Sequence, residues 1–344
     1  MLAIADARRL FSPETVYLDT AGYGLPPRAT VDALEAALDE WRGGRVSWRE
    51  WQRSVDAARA AFARLHGVDA GRVAVGSQVS PFAGLVALSL PSGARVVAVE
   101  QDFTSVLFPF LAQGDRGVRV DLVPFDSLVD ALDGADLVAV SAVQSADGRL
   151  APLDAIAASG VSAFLDATQA CGWLPLDAGR FDFVACSSYK WLLGPRGCAF
   201  MTVREEAGER LTPHLANWFA AEDHTAYYGG PLRLAADAGR FDGSPAWFSW
   251  VGQAAAFDVV ERVGIAAIHD HDVALANRFR GGLGLEPADS AIVSIPATPG
   301  AEDRLRAAGV MFAGYDLLRF SFHLYTSPAD VDRALEALGR TAAG

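Results

Sequence analysis

Asp182-Phe-Val-Ala-Cys-Ser-Ser-Tyr-Lys-Trp-Leu-Leu-Gly-Pro-Arg-Gly-Cys198 begins as a short apolar run, passes through small hydroxyl residues and stops at a Gly-Pro turn. A run of this kind, bounded by turn residues, reads as a buried strand. Of the 29 basic residues in the chain, Lys190 alone is lysine. A guanidinium keeps its proton, whereas a buried ammonium titrates downwards and its amine can form a Schiff base. The one position that has kept lysine in an arginine-biased chain is therefore a candidate for an amine that must be deprotonated. Chance survival of a lone lysine is the competing reading, and the surroundings decide between them.

Upstream, Val161-Ser-Ala-Phe-Leu-Asp-Ala-Thr-Gln-Ala-Cys-Gly172 reads as a second buried strand ending on Asp166, with Thr168 and Gln169 just beyond. Sites in α/β proteins assemble at strand ends, so adjacent strands could aim a carboxylate and an amine into one pocket. A carboxylate facing a pyridinium nitrogen, together with a Schiff-base lysine, is the pair that pyridoxal phosphate requires. Further out, Arg72–Val75, Ala94–Val99, Arg119–Val123 and Asp136–Val140 alternate with helical segments up to about Val203. That rhythm predicts βαβ units and a mostly parallel sheet.

The flanks read as helices. Val31, Leu34, Leu38 and Trp41 fall at helical spacing after Pro26-Pro27, and a helix is expected from about Ala246 to Val263. Ser327, Pro328 and Asp330 suit the cap and first turn of a last helix with Val331, Leu335 and Leu338 as its apolar stripe. The fold class expected is α/β, with a large domain over 20–225 and a smaller α+β domain made of 1–19 and 226–344. Tyr227-Tyr-Gly-Gly-Pro231 reads as a loop near the boundary.

The 344 residues are 51% hydrophobic and 21% charged, enough for two substantial cores. A net charge of -13 with scattered arginines argues against nucleic acid or an anionic membrane as partner. No apolar run reaches membrane-spanning length and the start lacks the pattern of a signal peptide, so a cytoplasmic location is expected. Cys171, Cys186 and Cys198 lack metal-like pairing and read as buried thiols. The histidines show no ligand spacing; His269 and His271 read as exposed, and His323 as close enough to Arg319 to touch substrate.

On the Ser187-Ser188-Tyr189-Lys190 segment, its Gly194-Pro195 turn and Asp166, the chain resembles the fold type I, class V aminotransferase-like pyridoxal-phosphate enzymes over nearly its whole length. That family includes cysteine desulfurases, kynureninases, isopenicillin epimerase-like proteins and cysteine carbon-sulfur lyases. The resemblance implies that Lys190 carries the cofactor, that Asp166 pairs with its pyridine nitrogen and that Gln169 hydrogen-bonds its 3-oxygen. In Gly76-Ser-Gln-Val-Ser80, a strand-to-helix turn of otherwise ordinary composition, Gln78 and Val79 would meet the phosphate, with Ser187 and Tyr189 adding hydroxyls. Phe103, in Glu100-Gln-Asp-Phe-Thr-Ser105, would cover the ring. Core packing is its other reading, and phenylalanine there is nearer the kynureninase branch than the desulfurases.

By the same resemblance, Asp316-Leu-Leu-Arg-Phe-Ser-Phe-His-Leu-Tyr325 makes Arg319 the clamp on a substrate carboxylate, against a plain ion pair. Tyr23, in Tyr17-Leu-Asp-Thr-Ala-Gly-Tyr-Gly-Leu-Pro26, lines the substrate pocket or packs a turn. Arg240-Phe-Asp-Gly-Ser-Pro-Ala-Trp247 resembles the segment that crosses a homodimer interface, with Ser244 lent to the other subunit's phosphate and Trp247 walling the pocket.

The expected reaction passes through a quinonoid intermediate of an amino-acid substrate with Lys190 as base. Desulfurase chemistry needs a mobile nucleophilic cysteine in the C-terminal half, and none follows Cys198. Gln144-Ser145 ahead of Asp147-Gly148-Arg149 resembles the lyase and epimerase-like branch. The leading expectation is a carbon-sulfur β-lyase on a cysteine-type substrate; amino-group transfer to a keto acid, epimerisation and a non-catalytic binding role are the alternatives.

Overall fold

The computed structural model of the protein describes residues 1–314 and 317–340. Asp316, which opens the Arg319 motif, and the tail beyond 340 lie outside them. The strands in chain order are β1 (Val16–Tyr17), β2 (Val73–Gly76), β3 (Arg95–Val99), β4 (Arg119–Val123), β5 (Leu137–Ser141), β6 (Ser162–Asp166), β7 (Phe183–Ser187), β8 (Ala199–Val203), β9 (Ile292–Pro296), β10 (Val310–Met311), β11 (Ala313–Gly314) and β12 (Leu317–Ser321). Seven of them form one sheet in the order β2-β8-β7-β6-β5-β3-β4. β4, β3, β5, β6 and β7 run parallel, and β8 runs antiparallel to both β7 and β2.

The sequence accounts for this arrangement. β5, β7 and β8 are buried at every residue, as strands covered on both faces must be. Fully buried Phe62, Phe200 and Phe257 pack one face, with Phe62 and Phe200 stacked at 4.4 Å. Val79, Phe82, Val106, Phe110 and Phe164 fill the other. The helix Trp48–Leu65 supplies Phe62, and its Arg59 pairs with buried Asp242, whose Oδ1 also accepts the Val75 N–H.

The expected helices occur at Arg28–Arg42, Val79–Ser89, Trp247–Val263 and Pro328–Ala337. The last starts with a reciprocal Ser327/Asp330 capping box. The C-terminal strands form a three-stranded antiparallel sheet, β11-β12-β9. β1 pairs with β10, and Asp19 bridges to Ser321, so the start of the chain is joined to these strands. All three cysteines are buried and unpaired. Among the described residues no helix is long and apolar enough to cross a membrane.

Candidate active site

Register brings the strand ends to one edge. Ser141 lies beside Asp166 and Asp166 beside Ala185, while Ser187 and Gly76 flank Ala199 from opposite sides. A hollow of about 600 Å³ opens there, lined by Gln78, Val79, Phe103, Asp166, Gln169, Ser187, Tyr189 and Lys190 among others. These are eight of the residues singled out in the sequence, contributed by the ends of four strands, and they lie where open α/β sheets bind ligands.

Lys190 is buried, and its Nζ is 5.7 Å from the ring centroid of half-exposed Phe103. Burial lowers its pKa to about 8; the Arg319 charge acts in the same sense, and Asp166 and Asp19 oppose it. Asp166 is buried and accepts the Thr168 N–H at 2.8 Å. Burial raises its carboxyl to about 6 with a contribution from Asp102, against the Thr168 hydrogen bonds and the Lys190 charge. Each charge thus sits where desolvation weakens it and the other restores it.

The turn that carries Lys190 is tightly held. The Gly24 N–H donates to the Tyr189 carbonyl at 2.9 Å, and a Cβ on Gly24 would lie 1.9 Å from the Lys190 carbonyl oxygen. Leu193 closes the turn at φ 61, a conformation that costs a bulky residue about 1–3 kcal/mol and survives only under such constraint. On the other flank, the helix Val79–Ser89 presents its N-terminus at Gln78 with no side chain capping it. Its free N–H groups and dipole favour an anion there.

Arg319 lies beside the hollow, half-buried, with Nη1 donating to the Ser145 carbonyl at 2.8 Å and to its Oγ at 3.0 Å, and Nη2 facing Asp19 at 3.3 Å. The Tyr23 hydroxyl accepts the Arg196 N–H at 3.2 Å, and its ring is 5.1 Å from Tyr189. Ser244 and Trp247 do not line this hollow within one chain. Ser244 lines an adjacent one with Gly76, Pro81 and Leu215; Trp247 packs among Trp48, Trp51 and Trp218.

Two histidine expectations are corrected. His323 does not face substrate: it is fully buried behind the lysine turn, bonded to Asp272 at 2.8 Å and to the Trp191 carbonyl at 3.0 Å. β12 ends at Ser321, so the alternation that would keep His323 on the Arg319 face is broken. His269 and His271 are half-buried rather than exposed, His269 stacking on Trp173.

Sequence reasoning missed Asp102, buried beneath Phe103 and accepting from the Phe103 and Ser141 N–H groups, the Ser141 hydroxyl and the Gln144 amide. One acid among 42 Asp and Glu residues gives no signal until register brings Ser141 to it. Arg196, which lines the hollow with its guanidinium 4.9 Å from the Tyr189 ring centroid, was also missed.

The model of the class-V aminotransferases matches residues 16–295. The chain belongs to the class-V aminotransferase family. An uncharacterized aminotransferase, YcbU, of Bacillus subtilis is 31% identical to it over 259 residues, 71% of this chain and 68% of that protein. A probable hercynylcysteine sulfoxide lyase of Mycobacterium tuberculosis is 30% identical over 237 residues, 62% of this chain and 58% of that one. Among solved structures, the cystine C–S lyase C-DES in complex with its reaction product cysteine persulfide aligns with a TM-score of 0.86 at 19% identity, covering 96% of this chain and 98% of that one.

The residues of this class-V member fit pyridoxal phosphate. A buried carboxylate faces a buried amine of lowered pKa, an uncapped helix N-terminus lies beside Ser187 and Tyr189, and the Phe103 ring is half-exposed at the mouth.

Proposed function

We propose that the protein is a pyridoxal-phosphate enzyme that breaks the carbon-sulfur bond of a cysteine-type amino acid, releasing a thiol and, once water hydrolyses the enamine left behind, ammonia and a keto acid. The observation that carries the cofactor reading is the sole lysine, buried in a hollow with Asp166 on the neighbouring strand. When bound, the cofactor supplies an electron sink for the bond broken at the substrate α-carbon.

The chain's own groups do the rest. Asp166, as carboxylate, holds a proton on the ring nitrogen. The uncapped turn at Gln78 and Val79, with the Ser187 and Tyr189 hydroxyls, binds the phosphate, and Phe103 covers the ring. Arg319 gives up its 3.3 Å contact with Asp19 to grip the substrate carboxylate. Lys190 Nζ, of lowered pKa, takes the α-proton and returns it to the departing group, in the manner of a general base tuned towards the working pH.

Carbon-sulfur cleavage that releases the sulfur from the site is favoured over its transfer to a cysteine of the chain, because the three cysteines are buried and none follows Cys198. A homodimer in which Ser244 completes the partner's phosphate site is part of this reading, as is a cytoplasmic location.

Two measurements test it. Borohydride should fix the cofactor to the wild-type chain and not to Lys190→Ala; fixation on the variant would remove Lys190 from its role. Cysteine conjugates should yield pyruvate, ammonia and thiol without an added acceptor. A requirement for a keto acid would select amino-group transfer instead.

A further inference from the structure

Behind the lysine turn lies a set of fully buried polar groups that the steps above do not use: Asp272, His323 and the backbone and indole of Trp191. Their chemistry fixes the direction of each bond. The Trp191 carbonyl can only accept, so His323 Nε2, 3.0 Å away, carries a hydrogen. His323 Nδ1 and Asp272 Oδ2, 2.8 Å apart, then share the remaining proton. The Trp191 indole can only donate, so the Gln169 atom 2.7 Å from it is the amide oxygen.

The amide nitrogen of Gln169 must therefore face the other way, towards the Ser145 hydroxyl at 2.9 Å and the Ala21 carbonyl at 3.0 Å. Ser145 in turn receives Arg319. A second indole, that of Trp173, donates to the Gln169 backbone carbonyl at 2.6 Å. The line is closed to water at its centre: a Cβ on Gly172 would lie 2.3 Å from the Trp191 carbonyl oxygen, so backbone already fills the space around that acceptor.

We propose that Asp272, His323 and Trp191 are positioning residues, one hydrogen-bonded line that holds the turn aiming Lys190 into the hollow and sets which end of the Gln169 amide the site receives. Trp191 joins the two halves of the line. It directly follows Lys190, and it is held at two points, its carbonyl by His323 and its indole by Gln169. Loss of either lets the lysine turn or the amide relax without removing any group that lines the hollow.

The test uses the cofactor-free and the loaded protein, and it is independent of which bond the enzyme breaks. Trp191→Phe removes the indole N–H and keeps a buried ring. His323→Phe removes the donor to Trp191, and His323→Gln keeps an amide donor in reach of it. Reductive methylation labels the single lysine, so its titration is read in the cofactor-free chain as one side-chain resonance, apart from that of the α-amine. His323→Phe should move that midpoint upwards from its wild-type value, and His323→Gln should bring it back. Trp191→Phe should shift the Gln169 side-chain amide resonances and lower kcat by about tenfold, the equivalent of one hydrogen bond, with a smaller change in KM.

A lower melting temperature with lysine midpoint, amide resonances and the kcat to KM balance all at wild-type values would overturn the proposal and leave the line as packing. If His323→Phe does not fold, Trp191→Phe decides alone on the amide resonances and kcat.

Discussion

Burial weakens the charged form of each of the two groups that matter most at the residue scale, and this can be measured directly. Lys190 is the only lysine, so reductive methylation of the cofactor-free protein with isotope-labelled formaldehyde gives one side-chain resonance. Its midpoint should fall near 8, well below the ordinary lysine value; a midpoint above about 10 would mean the amine is solvated. For Asp166 the sign runs the opposite way. The native carboxyl keeps its proton up to about 6, whereas the unfolded chain releases it near the ordinary aspartate value of 3.8. Wild-type protein therefore loses stability as pH rises across that interval, and Asp166→Asn, which cannot ionise, does not. Above about pH 6 the cofactor-free Asn variant should be more stable by roughly 2–3 kcal/mol, while turnover of the loaded enzyme is lost. Equal melting curves at both ends of the range would show that Asp166 is not desolvated. Lys190 and Asp166 were legible in the sequence because each stands at the end of an apolar run and each has a chemistry few residue types supply. Asp102 and the Asp272–His323 pair were not. Apart from the Phe103 N–H beside Asp102, the partners of these side chains lie 39 to 132 residues away, and nothing local marks them.

At the scale of elements, strand positions were legible because runs such as Ala163-Phe-Leu165 and Phe183-Val-Ala185 have only one way to be buried. The direction of β8 was not written in its own residues, since Ala-Phe-Met-Thr-Val is equally apolar either way. It follows from the connection: the link from Ser187 to Ala199 contains no helix, and a parallel return needs a crossover of a dozen or more residues, usually helical. That tight return is what folds the lysine turn back over the sheet edge and makes glycine obligatory where the N-terminal loop crosses it. Gly24→Ala should cost about 2–4 kcal/mol, because its Cβ would meet the Lys190 carbonyl at 1.9 Å and neither backbone can move freely. It should also slow cofactor uptake. Gly84 is the control. It lies inside the helix Val79–Ser89 with nothing within 4 Å of an added Cβ, so Gly84→Ala should stabilise by about 0.5–1 kcal/mol. Urea titrations compare the two directly, and a neutral Gly24→Ala would mean the turn is looser than its contacts imply.

At the scale of the whole molecule, one amphipathic element fits its surroundings poorly. Val31, Leu38 and Trp41 share a stripe on the helix Arg28–Arg42, yet they are 39%, 46% and 59% exposed. Their spacing marked them as a buried face, and within a single chain that face remains largely open. Trp41 packs at 5.4 Å against Phe248, which follows the Ser244–Trp247 segment proposed to cross to a second subunit. The open stripe and the crossing segment therefore share one continuous surface, and a contiguous apolar surface of this kind marks an interaction site. A second copy of the chain is the occupant that would both cover the stripe and bring Ser244 to the other phosphate site. Sedimentation velocity should find the wild-type protein as two copies, and Leu38→Glu with Trp41→Glu should shift it towards one, since two carboxylates cannot be buried there without partners. Cofactor affinity should fall with dissociation, because each hollow would lose the hydroxyl of its neighbour. A wild-type protein that sediments as a single copy and still retains its cofactor would show that the hollow is complete within one chain, and Ser244 would then have no part in it.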